Sequence, residues 1–305
     1  MKFFLAADIG GSKTVINVYT ENSELVNSYN AIGFGLAIDS EDPLPELTKV
    51  LEVINSNYNI CSAAVNLGGK NTKQIELVFS SVFKNAKILV FRESEGNVAL
   101  KLGGKYHSEI VLLAGTGAIA IGCDGKGNYI VSGGWGSDIS DKGSGYDIGL
   151  SAIKQSLLAL DSNKPLTPMQ QKITGRSEPI TAKNNISEIR DMRDSVRENI
   201  GERTRKNIAS YTRIVEEFAS KGEKDALEIL NNAGIDLAKL ILSTASSLLP
   251  YQVKSVTVTG GLVNFNKYWK ESFEEYIKQN SAITEFNYVK DGVIYGTFLI
   301  AKENI

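Results

Sequence analysis

One succession of local patterns occurs twice in this 305-residue sequence, with starts about a hundred residues apart. In each copy a short apolar run ends at a glycine-containing turn, and two more strand-like runs follow, joined by a polar turn. The first copy starts at residues 3–7 and the second at residues 109–114. Helix-like and strand-like segments alternate along the rest of the chain, which is typical of α/β domains. The sequence therefore predicts an α/β protein built from two copies of one domain.

The two predicted domains are unequal in length. The first covers residues 1–105, and a last helix at about residues 292–305 is expected to pack back on it. The second covers residues 106–291 and contains a helical insertion at about residues 163–250. The start of that insertion, residues 163–181, holds three of the six prolines and has little periodicity, which predicts an irregular connection.

Composition argues against several function classes. Lys and Arg total 33 against 35 for Asp and Glu, and the formal net charge of −2 gives no attraction for nucleic acid or an anionic membrane. Cys61 and Cys123 lie in strand-like segments without a C-x-x-C pattern, which argues against a disulfide framework or a zinc site. The single histidine, His107, lies in a polar turn and is expected at the surface. No segment approaches the roughly 20 apolar residues of a membrane helix, so we expect a cytoplasmic protein without nucleic-acid or membrane partners.

Three turns share one design, in which an apolar strand ends at glycines. Glycine has no Cβ, so its backbone N–H group can approach an anion closely. Hydroxyls in the turns add donors, and a lysine offsets phosphate charge. Asp8, at the end of the first strand, needs a cation opposite it, and Mg²⁺ bridging phosphate oxygens provides one. The candidate phosphate- and nucleotide-binding residues are Gly10, Gly11, Ser12, Lys13, Thr14, Gly115, Thr116, Gly117, Gly260 and Gly261.

Glycine turns of this kind also occur in plain hairpins, in P-loops and in Rossmann domains. Each turn taken singly is better explained as a plain hairpin, and only the three together favour phosphate binding. No G-x-x-x-x-G-K-[ST] segment occurs, which excludes a P-loop site. Residues 115–120 fit the dinucleotide fingerprint G-x-G-x-x-A, but that fingerprint opens a helix and here a strand-like run follows. A Rossmann site is therefore disfavoured.

Five motifs occur in a fixed order along the chain. They are Asp8-Ile-Gly-Gly-Ser-Lys-Thr14, Leu113-Ala-Gly-Thr-Gly-Ala118, Gly133-Gly-Trp-Gly136, Ser140-Asp-Lys-Gly-Ser-Gly-Tyr146 and Thr259-Gly-Gly-Leu262. Over nearly the whole chain this order resembles the BadF/BadG/BcrA/BcrD-type ATPases, a branch of the actin/hexokinase/Hsp70 superfamily that contains N-acetylglucosamine kinases. The resemblance implies two ribonuclease H-like domains with ATP in the cleft between them. It also implies that the first two glycine turns hold phosphates and that the third lies near the adenosine.

The resemblance also suggests a catalytic base. In the sugar kinases of this branch, an Asn-Asp pair after a strand orients the acceptor hydroxyl. The pair falls on Ser94 and Glu95 here, with Glu93 as the adjacent alternative. Either carboxylate would accept the hydroxyl proton, since phosphoryl transfer asks little covalent chemistry of the protein. The alternative for Glu95 is an acidic residue that stabilises a helix N-terminus.

Candidate contacts to the acceptor come from two parts of the chain. The family's Gly-Asp-Glu-Gly-Ser run keeps its aspartate as Asp141, but Lys142 replaces the glutamate, and Arg92 lies beside the candidate base. If both cations face the acceptor, the site suits a carboxylate-bearing sugar; the alternative is that both face solvent. Gly134 and Trp135 complete the candidates, and Trp135 would either stack on a sugar or pack to hold the glycine loop.

The leading prediction is an ATP- and Mg²⁺-dependent kinase for a small sugar or sugar acid. The cationic candidates, and the absence from residues 33–37 of the asparagine that meets the sugar in family kinases, favour a keto-deoxy sugar acid such as 2-keto-3-deoxygluconate. An N-acetylglucosamine or broad hexose kinase is the alternative. An ATP-driven activator of a dehydratase or reductase is the alternative from another class, although no cysteine flanks residues 115–117 to ligate an iron–sulfur cluster. A homodimer is the default expectation, because closed dimers are the commonest assemblies.

Overall fold

The computed structural model describes most of the chain. The described residues are 1–10, 13–34, 42–67, 72–91, 94–124, 126, 128–136, 139–162, 164–180, 185–264 and 268–305. They form two compact units, one of Met1–His107 with Asp291–Ile305 and one of Ser108–Lys290. Each unit has its own sheet and its own hydrophobic core.

Strands and helices alternate along the described part of the chain. The strands are β1 (Phe3–Ile9), β2 (Lys13–Thr20), β3 (Leu25–Ile32), β4 (Ile60–Leu67), β5 (Lys87–Phe91), β6 (Ile110–Ala114), β7 (Ala118–Cys123), β8 (Tyr129–Gly133), β9 (Ser255–Thr259) and β10 (Glu285–Val289). The α-helices are α1 (Leu44–Asn57), α2 (Thr72–Val82), α3 (Ser94–Tyr106), α4 (Gly145–Asp161), α5 (Pro168–Thr174), α6 (Ile186–Ile200), α7 (Arg205–Ser210), α8 (Thr212–Ser220), α9 (Lys224–Ser247), α10 (Tyr268–Asn280) and α11 (Gly292–Glu303). A 3₁₀ helix, Gly261–Asn264, follows β9.

The two units share one sheet topology. In the first unit the strand order is β3-β2-β1-β4-β5, and in the second it is β8-β7-β6-β9-β10. Each sheet has an antiparallel meander on one side of its central strand and two parallel strands on the other. The predicted fold, a duplicated β-meander-led α/β domain, is therefore confirmed.

The alternation of side chains along β1 decides what lies on each face of the first sheet. Leu5 and Ile9 are fully buried against α1 and α2. Phe4, on the opposite face, packs edge-on against Phe298 of α11. Asp8 shares the face of Phe4, because two-residue periodicity returns it to that side.

The second unit brings α7 unusually close to α4. A Cβ on Gly149 of α4 would lie only 1.9 Å from the Ile208 carbonyl oxygen, so only glycine permits this approach. Thr212, at the start of α8, is buried and donates its hydroxyl to the Gly145 carbonyl at 2.8 Å. The start of α4 is therefore fixed against the segment that contains α7.

The predicted irregular connection in the second unit is wrong in part. Residues 163–181 contain α5, which begins with a capping box between Thr167 and Gln170 and has Pro168 in its first turn. These start signals are present in the sequence, but a helix of seven residues has too little periodicity to be recognised. Helix α4 begins at Gly145, because the Ser144 side chain accepts the Asp147 N–H and caps the helix.

Predictions for the cysteines and the histidine agree with the structure. Cys61 lies in β4 and Cys123 at the end of β7, and neither is part of a disulfide. His107 is exposed and has a φ of 53°, at the turn that ends the first stretch of unit one. Among the described residues, no helix combines the length and the apolar character needed to cross a membrane.

Candidate functional site

Two of the predicted glycine turns lie side by side in the second unit. Gly115 follows β6 and Gly260 follows β9, and the parallel pairing of these strands brings both turns to one edge of the sheet. A Cβ on Gly115 would be 3.7 Å from the backbone nitrogen of Gly261. The Gly115 N–H donates to the Gly117 carbonyl at 2.9 Å, which closes the first turn. Two turns from distant parts of the sequence thus form one surface. Because its residues are mostly glycines, few side chains prevent an anion from approaching the backbone.

The N-terminus of α4 lies against the first of these turns. The Gly145 N–H donates to the Gly115 carbonyl at 2.7 Å, and the Tyr146 N–H donates to the Thr116 carbonyl at 3.2 Å. Helix α4 is 17 residues long, so the positive end of a full helix dipole is held at the turn. This arrangement favours negative charge beside Gly115 and Thr116.

Asp141 places a buried carboxylate over the same turn. Only 6% of its surface is exposed, and its Oδ2 atom lies 2.5 Å from the position that a Cβ on Gly117 would take. Its Oδ1 atom is buried and has no hydrogen-bond partner in the part of the chain that the structure describes. An unsatisfied buried acceptor costs roughly 1–3 kcal/mol or more when charged. Asp141 is therefore suited to accept hydrogen bonds from the hydroxyls of a bound molecule.

Arg205 is a site residue that the sequence did not indicate. Its Nη2 atom lies 3.8 Å from the same Cβ position on Gly117, so a guanidinium and the Asp141 carboxylate meet at one glycine. In the sequence, Arg205 ends a highly charged stretch that predicts a solvated helix face. In the structure, α6 ends at Ile200. Helix α7 begins at Arg205, and Thr204 is its N-cap residue. The packing of α7 brings Arg205 to the site, and local sequence patterns do not predict that packing.

A cavity of about 340 Å³ opens beside Asp141. Lys239 Nζ and Asp236 Oδ1 form an ion pair in this cavity at 2.8 Å. The hydrogen bond to the Asp236 carboxylate raises the pKa of Lys239. Lys142 is exposed at the same cavity, and no described residue forms an ion pair with it. The polar lining comprises Ser140, Asp141, Lys142, Asp236, Lys239 and Ser243. The cavity thus combines a carboxylate that can accept from hydroxyls with a cation that is available to a ligand.

Trp135 and Gly134 lie next to this cavity along the chain. The Gly134 N–H donates to the Ala118 carbonyl at 2.9 Å, and its φ of +72° suits glycine. Trp135 is 77% exposed, so its indole does not pack into the core of its unit. Two roles are predicted for Trp135. The second unit gives no support for the one in which its indole packs to hold the glycine loop.

In the first unit, Asp8 is paired with an asparagine that the sequence did not single out. Asp8 of β1 and Asn66 of β4 are direct neighbours across the parallel strands, and Asn66 Nδ2 donates to Asp8 Oδ1 at 2.9 Å. Asn66 is 5% exposed, and its Oδ1 atom has no partner among the described residues. Two oxygen-bearing side chains therefore lie together at the carboxyl edge of the sheet.

These two side chains fit a magnesium ion. Mg²⁺ binds proteins through one or two carboxylates, keeps several waters and takes further oxygens from substrate phosphates. Asp8 offers the carboxylate, and the unpartnered amide oxygen of Asn66 offers an acceptor for a metal-bound water. Among the described residues, no group of three or more His, Cys, Asp or Glu side chains could hold a metal by itself. Metal held jointly with ATP does not need such a group.

Other predicted phosphate contacts differ in how well the structure supports them. Gly10 directly follows β1, and its carbonyl accepts the Phe34 N–H at 2.9 Å. Thr14 is fully buried, and its hydroxyl donates to the Ile32 carbonyl at 2.9 Å across the β2–β3 pair. We therefore drop Thr14 from the proposed phosphate site, because its proton is already used within the sheet.

Several predicted residues lie wholly or partly outside the described part of the chain. Gly11, Ser12, Arg92 and Glu93 are outside it. Lys13 begins β2, and Ser94 and Glu95 begin α3, with their backbones described. The roles predicted for these residues remain proposals.

Replacing Gly117 by alanine is expected to lower kcat/KM for phosphoryl transfer by about 100-fold. The new Cβ would lie 2.5 Å from Asp141 Oδ2, so the carboxylate must move by about an ångström, and such a displacement can cost that much in rate. Steady-state kinetics and a melting curve check the result.

Gly104→Ala is the matched control for this change. Gly104 lies in α3, where a Cβ meets nothing within 4 Å, so its activity should stay unchanged and its stability rise slightly. Equal kinetics for the two variants would show that the Gly117–Asp141 contact has no part in the reaction.

Comparison with known proteins supports the same family over nearly the whole chain. The family model described as the BadF/BadG/BcrA/BcrD ATPase family matches residues 7–294. The N-acetylmuramic acid/N-acetylglucosamine kinase of Clostridium acetobutylicum is 28% identical, and the alignment covers 99% of each chain. The N-acetyl-D-glucosamine kinase of Dictyostelium discoideum is 29% identical over 56% of this chain and 59% of its own length.

A solved structure shows the same fold. It is a ROK family glucokinase from Streptomyces griseus in complex with glucose and AMPPNP, with a TM-score of 0.62 and 99% of each chain covered. At 12% sequence identity this likeness concerns the fold alone.

The comparisons also test the predicted activity. The expectation of an ATP-dependent sugar kinase is confirmed at that coarse level, since both curated relatives are sugar kinases. The preference for a keto-deoxy sugar acid is not supported, and the amino-sugar alternative agrees better with the relatives. The matched region runs through both units and contains every glycine turn described above, and the chain belongs to the BadF/BadG/BcrA/BcrD ATPase family.

Proposed function

We propose that this protein transfers the γ-phosphoryl group of ATP to a hydroxyl of an N-acetylated amino sugar, with N-acetylglucosamine as the parent acceptor. The observation that carries the proposal is the buried Asp141 carboxylate, whose Oδ1 atom lacks a partner among the described residues while its Oδ2 atom lies at the glycine turn. A carboxylate in that position would bind sugar hydroxyls next to a phosphate-binding surface. The two curated relatives, both kinases of N-acetylated amino sugars, support the choice of acceptor.

The proposed mechanism divides the work among few residues. Asp141 would accept hydrogen bonds from acceptor hydroxyls and fix the sugar. The backbone N–H groups of Thr116 and Gly117, together with the dipole of α4, would stabilise negative charge on the phosphates. Mg²⁺, when bound at Asp8 and Asn66, would neutralise charge on the phosphate oxygens.

Phosphoryl transfer from ATP to a sugar hydroxyl requires one base, which takes up the proton of that hydroxyl. A new bond forms between the acceptor oxygen and the γ-phosphorus, and the bond from that phosphorus to the β–γ bridging oxygen breaks. ADP leaves with the bonding electron pair, and the acceptor's proton passes to Glu95, with Glu93 as the alternative. Glu95 is the second residue of α3, directly after the connection from β5.

The test is ADP release from Mg²⁺-ATP with a panel of acceptors. The panel contains N-acetylglucosamine, N-acetylmuramic acid, glucose and 2-keto-3-deoxygluconate. We expect the highest kcat/KM with an N-acetylated sugar and little ADP release without an acceptor. Fastest turnover of 2-keto-3-deoxygluconate would overturn the proposed acceptor class, and ATP hydrolysis that no acceptor stimulates would overturn the kinase itself.

A further inference from the structure

Lys142 has a fixed backbone and a side chain that is not used by the fold. Its N–H donates to the Ser140 carbonyl at 2.6 Å, and the next residue, Gly143, donates to Asp147 Oδ2 at 2.9 Å. Gly143 has a φ of +76°, and a Cβ there would be 2.5 Å from the Ala233 carbonyl oxygen, so this backbone has little freedom. The Lys142 side chain is nevertheless exposed. A rigid base therefore presents a lysine at the edge of the Asp141 cavity.

Of the two lysines that line the cavity, Lys142 is the one without an ion pair among the described residues. Lys239, the other lysine of the lining, already binds the Asp236 carboxylate at 2.8 Å. Lys142 forms no ion pair within the described ranges of the chain. Asp141 and Lys142 both line this cavity, so a sugar whose hydroxyls meet the carboxylate would bring its substituents within reach of the ammonium. Lysine is a flexible point charge, which suits a carboxylate on a mobile substituent.

We propose that Lys142 is a specificity-determining residue, and that it selects amino sugars carrying a carboxylate over their neutral counterparts. The inference rests on the proposed kinase function and deepens it. N-acetylmuramic acid is the matching chemistry, because it is N-acetylglucosamine with an added lactyl ether that bears one carboxylate. A glutamate at this position would repel that carboxylate.

The experiment is a charge series at one position. Wild type, Lys142→Met and Lys142→Glu are assayed for kcat/KM with N-acetylmuramic acid and with N-acetylglucosamine, and the ratio of the two values is compared. An exposed ion pair supports a change of about 1.4-fold to fivefold in that ratio for Lys142→Met, and Lys142→Glu should change the ratio further because it replaces attraction by repulsion. The difference should shrink at high salt, because an exposed charge pair is screened.

Lys126→Glu is the matched control. It makes the same change in net charge in the turn at the far end of the β7–β8 hairpin, away from Asp141, and should leave the ratio at the wild-type value. Isothermal titration of each protein with N-acetylmuramic acid gives a readout that does not require turnover. The affinity for N-acetylmuramic acid is expected to be highest for wild type, lower for Lys142→Met and lowest for Lys142→Glu.

The outcomes separate this inference from the function on which it rests. An unchanged ratio in Lys142→Glu, or a wild type that phosphorylates N-acetylglucosamine but neither binds nor phosphorylates N-acetylmuramic acid, overturns the role of Lys142 and leaves the kinase proposal intact. A wild type that phosphorylates neither sugar overturns the proposed function. A ratio that falls equally in Lys126→Glu and Lys142→Glu would show only a general charge effect and would also overturn the inference.

Discussion

Glu95→Gln is expected to lower kcat for sugar phosphorylation by about 10²- to 10⁴-fold, the range that general base catalysis contributes. Glutamine keeps the size and the hydrogen-bonding capacity of the side chain but cannot take up the acceptor proton. Strands β1, β4 and β5 are parallel, so their carboxyl ends meet at one edge of the first sheet. Asp8 lies near the end of β1, and α3 starts just after β5, so the backbone of Glu95 and the proposed metal site share that edge.

The neighbouring carboxylate provides the matched comparison for Glu95. In Glu93→Gln we expect kcat within a few-fold of wild type, and both variants should bind N-acetylglucosamine with near wild-type affinity in a calorimetric titration. Loss of kcat in Glu93→Gln alone would move the base to Glu93. If neither variant loses activity, Glu95 acts only as an acidic residue at a helix N-terminus, and its replacement should cost no more than about 0.3–1 kcal/mol of stability.

Gly260→Ala is expected to destabilise the second unit by about 2–6 kcal/mol. The Gly260 backbone has a φ of +105°, which costs alanine about 1–3 kcal/mol. Its Cβ would also lie 2.4 Å from the Ala114 carbonyl oxygen, and relieving such an overlap in packed structure costs about 1–3 kcal/mol more. Ala114 ends β6, the central strand, so the strain acts on the strand that leads to the Gly115 turn. A thermal melt should show a midpoint lowered by roughly 5–20 °C.

The adjacent glycine is the control for this prediction. A Cβ on Gly261 would meet only the Gly115 Cα at 3.9 Å, and Gly261 has no positive φ, so Gly261→Ala should melt close to wild type. Comparable melting temperatures for the two alanine variants would mean that the close approach of Gly260 to Ala114 has no energetic importance.

Much of the fold could be predicted because its signals are local. Short apolar runs ended by glycine gave the strands, and their repetition gave the duplicated domain, since strand alternation and turn chemistry operate within a few residues. Helix α5 was missed because seven residues give too little periodicity, although its Thr167 and Gln170 capping pair was in the sequence. The candidate phosphate turns were likewise visible, because a glycine at the end of an apolar strand is a local feature.

Contacts between distant residues could not be predicted in this way. The resemblance to the family identifies Asp141 as a candidate, but local patterns do not give its position over Gly117. They give no signal for Arg205, whose charge was attributed to a solvated helix, or for Asn66, which lies in a segment predicted as a buried strand. They also predict a free hydroxyl at Thr14, whereas strand pairing commits that hydroxyl to the Ile32 carbonyl.

The class of fold, the family and the turns that suit phosphate can be assigned from the order of residues along the chain. The three-dimensional packing is needed to tell which of those turns meet, which carboxylate keeps an unpartnered oxygen and which lysine of the cavity has no ion pair among the described residues. These features depend on burial and pairing, which are set by strand register and helix packing. The contact between Gly115 and Gly261, for example, exists because β6 and β9 are paired in parallel, with Leu113 opposite Thr259.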